Sequence, residues 1–305
     1  MADDRSGFGI ALRQRWQDLE SFRQSCALVE QLGFGSAWVT DHLRGPDPLL
    51  EPFTALSYCA AQTSRVRLGI AIAVSFARTP VHLAQAVASL DRLSGGRLEL
   101  GIGSGAPRLA PAFGVPAEDA FARFRSSLTT LKKLWTEPAV TDESPFWELR
   151  DWAVGLRPVQ VPHPPLWIGA RVGGALRLAV EEGTGWVGAG SSSLDDFVRQ
   201  VGIVQRHLEE VGRDPASFHV AKRIYLHVSD GGSKGLDQLR EWFGMHYGDP
   251  TGADRFGVTG DEVGCAEQVR TIRDAGADLL ILHPVFGTPE QIEAAAVVAD
   301  LASDA

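Results

Sequence analysis

The constraint that dominates this chain is an alternation of short apolar runs with longer amphipathic stretches, sustained almost from end to end. Phe8 to Leu12 reads as a strand, and residues 17 to 32 then place Leu19, Phe22, Cys26, Val29 and Leu32 three and four apart, as on one helix face. Gly33 follows as a helix stop. The same unit recurs with strands at 36–42, 66–76, 97–103, 166–170, 185–189, 218–228 and 278–285. Helices are predicted at about 52–63, 80–93, 118–136, 174–183, 194–212, 232–244 and 262–275, with a last one from Pro289. Several of the strands are apolar throughout, as expected when both faces of a parallel sheet are covered. Eight strand–helix units with no shift in composition predict one closed (β/α)8 TIM barrel spanning residues 1–305, not an open sheet. Residues 137–165 break the rhythm with prolines and the stretch "FWELRDWAVGLRPVQ", predicting an excursion with a short hairpin between strands four and five.

A net charge of −9 opposes nucleic-acid binding, which needs a basic patch or stripe. The three cysteines, Cys26, Cys59 and Cys265, lack metal-type spacing and read as buried thiols. The N-terminus shows no apolar signal segment, and the longest largely apolar stretch, residues 68–77, is about half a membrane span. These features predict a cytoplasmic protein with no membrane partner.

In such a barrel the chemistry sits at the C-terminal ends of the strands. There the sequence places Asp41 and His42, residues 71–76, "GIGSGA", "IGARVGG", "VGAGSSS" and His283. The set is rich in glycine, which admits close backbone approach of a ligand, and poor in metal ligands, so no metal is expected. "GIGSGA" matches a dinucleotide fingerprint formally, but Pro107 and Pro111 stand where that fingerprint needs a helix. In "WIGARVGGALRLA" a strand ends at Ala170, and Arg171 and Val172 lead to Gly173 and Gly174 at a helix start. Free amides there would form an anion site, with Arg171 assisting. Lys222 could form a Schiff base in principle, but it lies well short of its strand end. If the second strand stays regular, Trp38, Thr40 and His42 share one face and Ala37, Val39 and Asp41 the other. His42 is then the better candidate to touch a ligand, and Asp41 reaches the site only if the strand ends.

Four stretches together resemble the bacterial luciferase-like oxidoreductases, the flavin- and deazaflavin-dependent (β/α)8 enzymes. They are "LVEQLGFGSAWVTDHL", "RVRLGIAIAVSFARTPVHLAQAVASLDRLSGGRLELGIGSGAP", "LRPVQVPHPPLWIGARVGGALRLA" and "EQVRTIRDAGADLLILHPV". The resemblance implies a cofactor ring in the barrel mouth, its phosphate tail held by Gly173 and Gly174 with support from Ser104 and Gly105. It implies a non-proline cis peptide in the third strand, at Ala71–Ile72 here. "WVTDHL" is the form associated more with members using coenzyme F420, with Asp41 and His42 beside the ring. FMN is the alternative, for a monooxygenase fed by a separate reductase. Some deazaflavin dehydrogenases carry a catalytic Glu where this chain has Ala106, and a Trp in the region of Arg44 and Gly45. Those departures argue against a sugar-phosphate dehydrogenase. The resemblance further implies a small-molecule substrate and a homodimer. A non-catalytic flavin-binding relative and a phosphate-binding isomerase or aldolase barrel are the competing readings.

Overall fold

A computed structural model describes residues 5–15, 17–43, 49–153, 155–230 and 233–303. Arg44 and Gly45 lie outside them. Eight parallel strands close a barrel: β1 (Arg5–Ala11), β2 (Phe34–Val39), β3 (Arg67–Val74), β4 (Leu98–Gly103), β7 (Leu166–Gly169), β8 (Gly185–Gly188), β9 (His219–Val228) and β11 (Leu279–Pro284). The excursion after β4 carries the antiparallel hairpin β5 (Val140–Ser144) and β6 (Trp147–Trp152). Around the barrel run α1 (Leu19–Gln31), α2 (Pro52–Gln62), α3 (Pro80–Leu93), α4 (Ala120–Thr136), α5 (Gly173–Glu182), α6 (Leu194–Val211), α7 (Ser233–Tyr247), α9 (Glu262–Asp274) and α10 (Pro289–Ser303). None of these is long and apolar enough to cross a membrane.

Two elements were not legible as such. The segment between α7 and α9, for which the sequence predicts no regular element, contains the short helix α8 (Gly252–Phe256) and a further parallel strand, β10 (Gly257–Gly260). β10 exists because β9 outlasts its neighbour. β8 pairs only with residues 219–222 of β9, and β10 takes residues 225–228 of the same strand. Without it, the upper half of β9 would present unpaired backbone groups on that side.

The barrel interior is layered by strand alternation. Near its base, Glu99 pairs with Arg67 and accepts from the Trp167 indole N–H. Above that, Ala11, Trp38, Trp167, Val187, Ala221 and Ile281 pack together. Trp38 and Trp167 meet edge-on with centroids 6.2 Å apart. Ala37 and Val39 face the helices, in the main core, as the alternation predicts. The β3–β4 register slips between Ile70 and Ala73, and the Ala71–Ile72 peptide there is cis, as the resemblance implies.

Candidate active site

β2 stops at Val39, so Asp41 and His42 stand on the loop beyond it, and strand alternation does not separate them. The loop is tied down from inside. Fully buried Gln14 accepts from the Thr40 N–H (3.1 Å) and donates to the carbonyls of Thr40 (2.8 Å) and Leu50 (3.1 Å). This splices the loops after β1 and β2.

The two neighbours then part. The Asp41 carboxylate, 2% exposed, accepts from Arg78 Nη1 (2.6 Å) and from the Val74 N–H (2.9 Å). It therefore anchors the end of β3, immediately past the register slip. Arg78 also reaches Glu51 (2.6 Å), N-cap of α2, so three loops share one ion cluster. His42 turns the other way. Its ring lies 4.3 Å from that of His246, which stacks on Trp242 at 4.5 Å and 13°. His246 sits in the last turn of α7. The predicted helix therefore runs further than position 244 and delivers a histidine to the mouth that strand-end logic cannot find.

The inner wall is completed by β9 and β11. Ala221, Arg223 and Tyr225 alternate inward, and Arg223 Nη2 donates to His283 Nδ1 (2.8 Å). An arginine cannot lose its proton, so His283 accepts at Nδ1 and carries its hydrogen on Nε2 as a neutral ring. Burial, then Arg223, holds the His283 pKa well below its ordinary value. Burial, then His42 and Arg223, holds His246 down to about 3. Arg223 Nε and His246 Nδ1 are buried without a hydrogen-bond partner among the described residues. A cleft at the mouth is lined by Arg13, Gln14, Thr40, Arg223, Trp242, His246 and His283. Arg223 stands next to Lys222 in the chain. Its signal was a charge at every-second-residue spacing from Ala221, inside an otherwise apolar strand.

His246 makes stability acid-sensitive. The unfolded chain binds a proton near pH 6.5 that the folded chain refuses until about pH 3, so stability present above 6.5 is lost as pH falls through that window. His246→Phe, which keeps a ring between His42 and Trp242, is expected to lower the acid slope by about 1.4 kcal/mol per pH unit across it. Urea titrations at several pH values would show this; parallel pH slopes for the two proteins would exclude it.

The glycines divide. Side chains added at Gly101, Gly103 or Gly169 would meet Ile72, and one at Gly101 would also fall on the Ile70 carbonyl oxygen. These glycines make room for the protein's own β3, which corrects the expectation that the β4 glycines open space for a ligand. Gly105 has φ +69°, and a side chain on it would strike Val74 and Phe76; the neighbouring Ser104 hydroxyl donates to its carbonyl (3.3 Å). Gly173 and Gly174 are different. They open α5, no side chain caps its N-cap Val172, and nothing lies within 4 Å of an added Cβ. Arg171 binds the loop after β8 through Ser191, and the Ala170 carbonyl accepts from the Trp186 indole (3.0 Å). The loop is thus braced and its helix start left open.

The family model for luciferase-like monooxygenases matches residues 5–302. The chain belongs to that family. A phthiodiolone/phenolphthiodiolone dimycocerosates ketoreductase of Mycobacterium sp. (strain JLS) is 31% identical, over 67% of this chain and 56% of its own length. An F420-dependent glucose-6-phosphate dehydrogenase of Kineococcus radiotolerans is 30% identical, over 70% of this chain and 66% of its own length. The chain thus spans between a little over half and two-thirds of the length of these curated relatives. Among solved structures, monooxygenase RslO1 from Streptomyces bottropensis superposes with a TM-score of 0.83 at 22% identity, covering 95% of this chain and 97% of the other. An F420-dependent secondary alcohol dehydrogenase also gives 0.83, at 17% identity and 96% and 97% coverage. These structural likenesses establish the barrel fold of the family.

Proposed function

We propose that this chain is an oxidoreductase of the luciferase-like family that uses coenzyme F420 for hydride transfer to or from a small organic substrate. The observation that carries the reading is the mouth itself: His283 hydrogen-bonded to Arg223, His246 beside His42, and the buried acid Asp41 turned away onto Arg78. The F420-dependent relative supports the choice of cofactor. The residues suit such a group. Buried Arg223 Nε and His246 Nδ1 await a polar partner, and the open start of α5 offers Gly173 and Gly174 amides to a phosphate.

When bound, the cofactor supplies two-electron redox chemistry. The chain supplies placement and proton handling. Arg223 fixes the tautomer of His283, and Gln14 fixes the backbone of the loop that carries His42. His42, its ring tilted against a His246 that stays neutral, takes or gives the proton that accompanies transfer at the substrate. Asp41 holds β3 in place; its contribution is positional.

Titrating the protein with F420 and with FMN, followed by ring absorbance, tests the assignment. F420 is expected to bind at least about tenfold tighter, a margin of about 1.4 kcal/mol. Tighter FMN binding would move the reading to a monooxygenase working with a separate reductase, and binding of neither would overturn it. His42→Ala should abolish turnover while leaving cofactor affinity intact; unchanged turnover would remove His42 from the proton transfer. Gly174→Val should melt near the wild type, since open space receives the side chain, yet lose about tenfold or more in F420 affinity. Equal affinity would remove the helix start from the site.

A further inference from the structure

Lys222 has no part in the mouth. On β9 the inward positions are Ala221, Arg223 and Tyr225, so Lys222 leaves the barrel through its outer wall. It is only 3% exposed. Its Nζ donates to the carbonyls of Ala189 (2.5 Å) and Ser192 (2.9 Å), above the Phe197 ring at 5.6 Å, and no carboxylate pairs with it among the described residues. An ammonium has three hydrogens to place, whereas a neutral amine has two and a lone pair. Two carbonyl acceptors match the neutral amine. A buried ammonium without a counter-ion is costly, which drives the same way. Burial, then Arg171, holds the amine down to about 7, with Asp196 opposing.

The amine is served by a cavity. Because β10 replaces β8 alongside the upper half of β9, a pocket of about 210 Å³ opens between β9, β10 and α9. Lys222, Ile224, Val258 and Thr271 line it, Arg255 stands on its wall, and no Asp or Glu belongs to the lining among the described residues. Arg255 lies over the Phe256 ring at 4.8 Å. We propose that Lys222 is a nucleophilic amine serving this side pocket, where it condenses with small carbonyl-bearing carboxylates. The lone pair of Nζ adds to the carbonyl carbon to give a carbinolamine. Loss of water then replaces the C=O bond by C=N, with no change in oxidation state. Arg255 takes the carboxylate. The charged groups that act on the amine are Arg171 and Asp196, and Arg255 stands on the pocket wall.

The chain has only four lysines, Lys132, Lys133, Lys222 and Lys234, so the site of reaction can be mapped directly. The folded full chain is treated with glyoxylate and sodium cyanoborohydride, which reduces the imine to a stable amine, and the labelled peptides are quantified. At pH 7, Lys222 is expected to react at least about tenfold faster than the other three, because an ordinary lysine is almost wholly protonated there. The advantage should fall as pH drops below 7. Lys222→Met should reduce total labelling to that of the other lysines plus the terminal α-amine. Thr271→Trp, which fills the pocket from its exposed helix, should protect Lys222. Labelling of Lys222 no faster than of the other lysines would overturn the proposal without recourse to any variant. Undiminished labelling in a folded Thr271→Trp protein would remove the pocket from it. Neither result depends on which cofactor the mouth binds.

Discussion

Gly101→Ala is expected to cost about 3 kcal/mol or more, a large share of the roughly 5–15 kcal/mol that holds a domain folded. Gly101 is fully enclosed in β4, and an added Cβ would land on the Ile70 carbonyl oxygen, a main-chain atom of the neighbouring strand. A flexible side chain can yield to such a clash by rotating. A carbonyl fixed in the β3–β4 pairing cannot, so the two strands must separate where β3 already slips register. Relief there would displace Ile72, whose side chain also fills the space above Gly103 and Gly169. The damage should therefore reach cofactor affinity as well as stability. Urea denaturation of the variant, with F420 binding measured on whatever fraction folds, decides the matter. A midpoint within error of the wild type would show that β3 and β4 adapt more readily than the packing implies.

Asp41→Ala is expected to cost about 3 kcal/mol, at the low end for breaking a buried ion pair. The substitution strands the Val74 N–H and one side of Arg78, although Arg78 keeps Glu51. Asp41→Asn retains an acceptor for Val74 and should recover part of the loss, with Arg78 still short of its counter-charge. The order wild type, Asn, Ala in denaturation midpoint is the signature of an anchor. Should both variants match the wild type in stability and lose only turnover, Asp41 would instead be a group that handles the reaction's protons.

How much of the site was legible depends on how locally each residue is placed. Asp41 and His42 stand at a strand end in the linear order, and the helix start at Gly173 and Gly174 announces itself by its small residues before an amphipathic run. His246 gives no such sign. It ends a helix, and its place at the mouth follows from how α7 folds back over the barrel, where Trp242 and His42 take its two faces. Arg223 was legible by alternation but masked by its charged neighbour Lys222. The glycines misled in one respect: a strand glycine signals close approach without naming what approaches, and at Gly101, Gly103 and Gly169 the answer is Ile72.

By itself the sequence determined the barrel, because eight apolar runs spaced by amphipathic helices bury their faces together in one closed sheet. It also determined which loops form the mouth, since strand order and direction place every C-terminal end on one side. β10 could not be read from it: "GVTG" is four residues with two glycines, and it becomes a strand only because β9 outlasts β8 and leaves backbone groups to pair. Tertiary structure alone also separated Asp41 from His42. Adjacent in the chain, they are pulled apart by Arg78 and by the His246–Trp242 stack, and those partners come from α7 and from the segment after β3, far off in sequence.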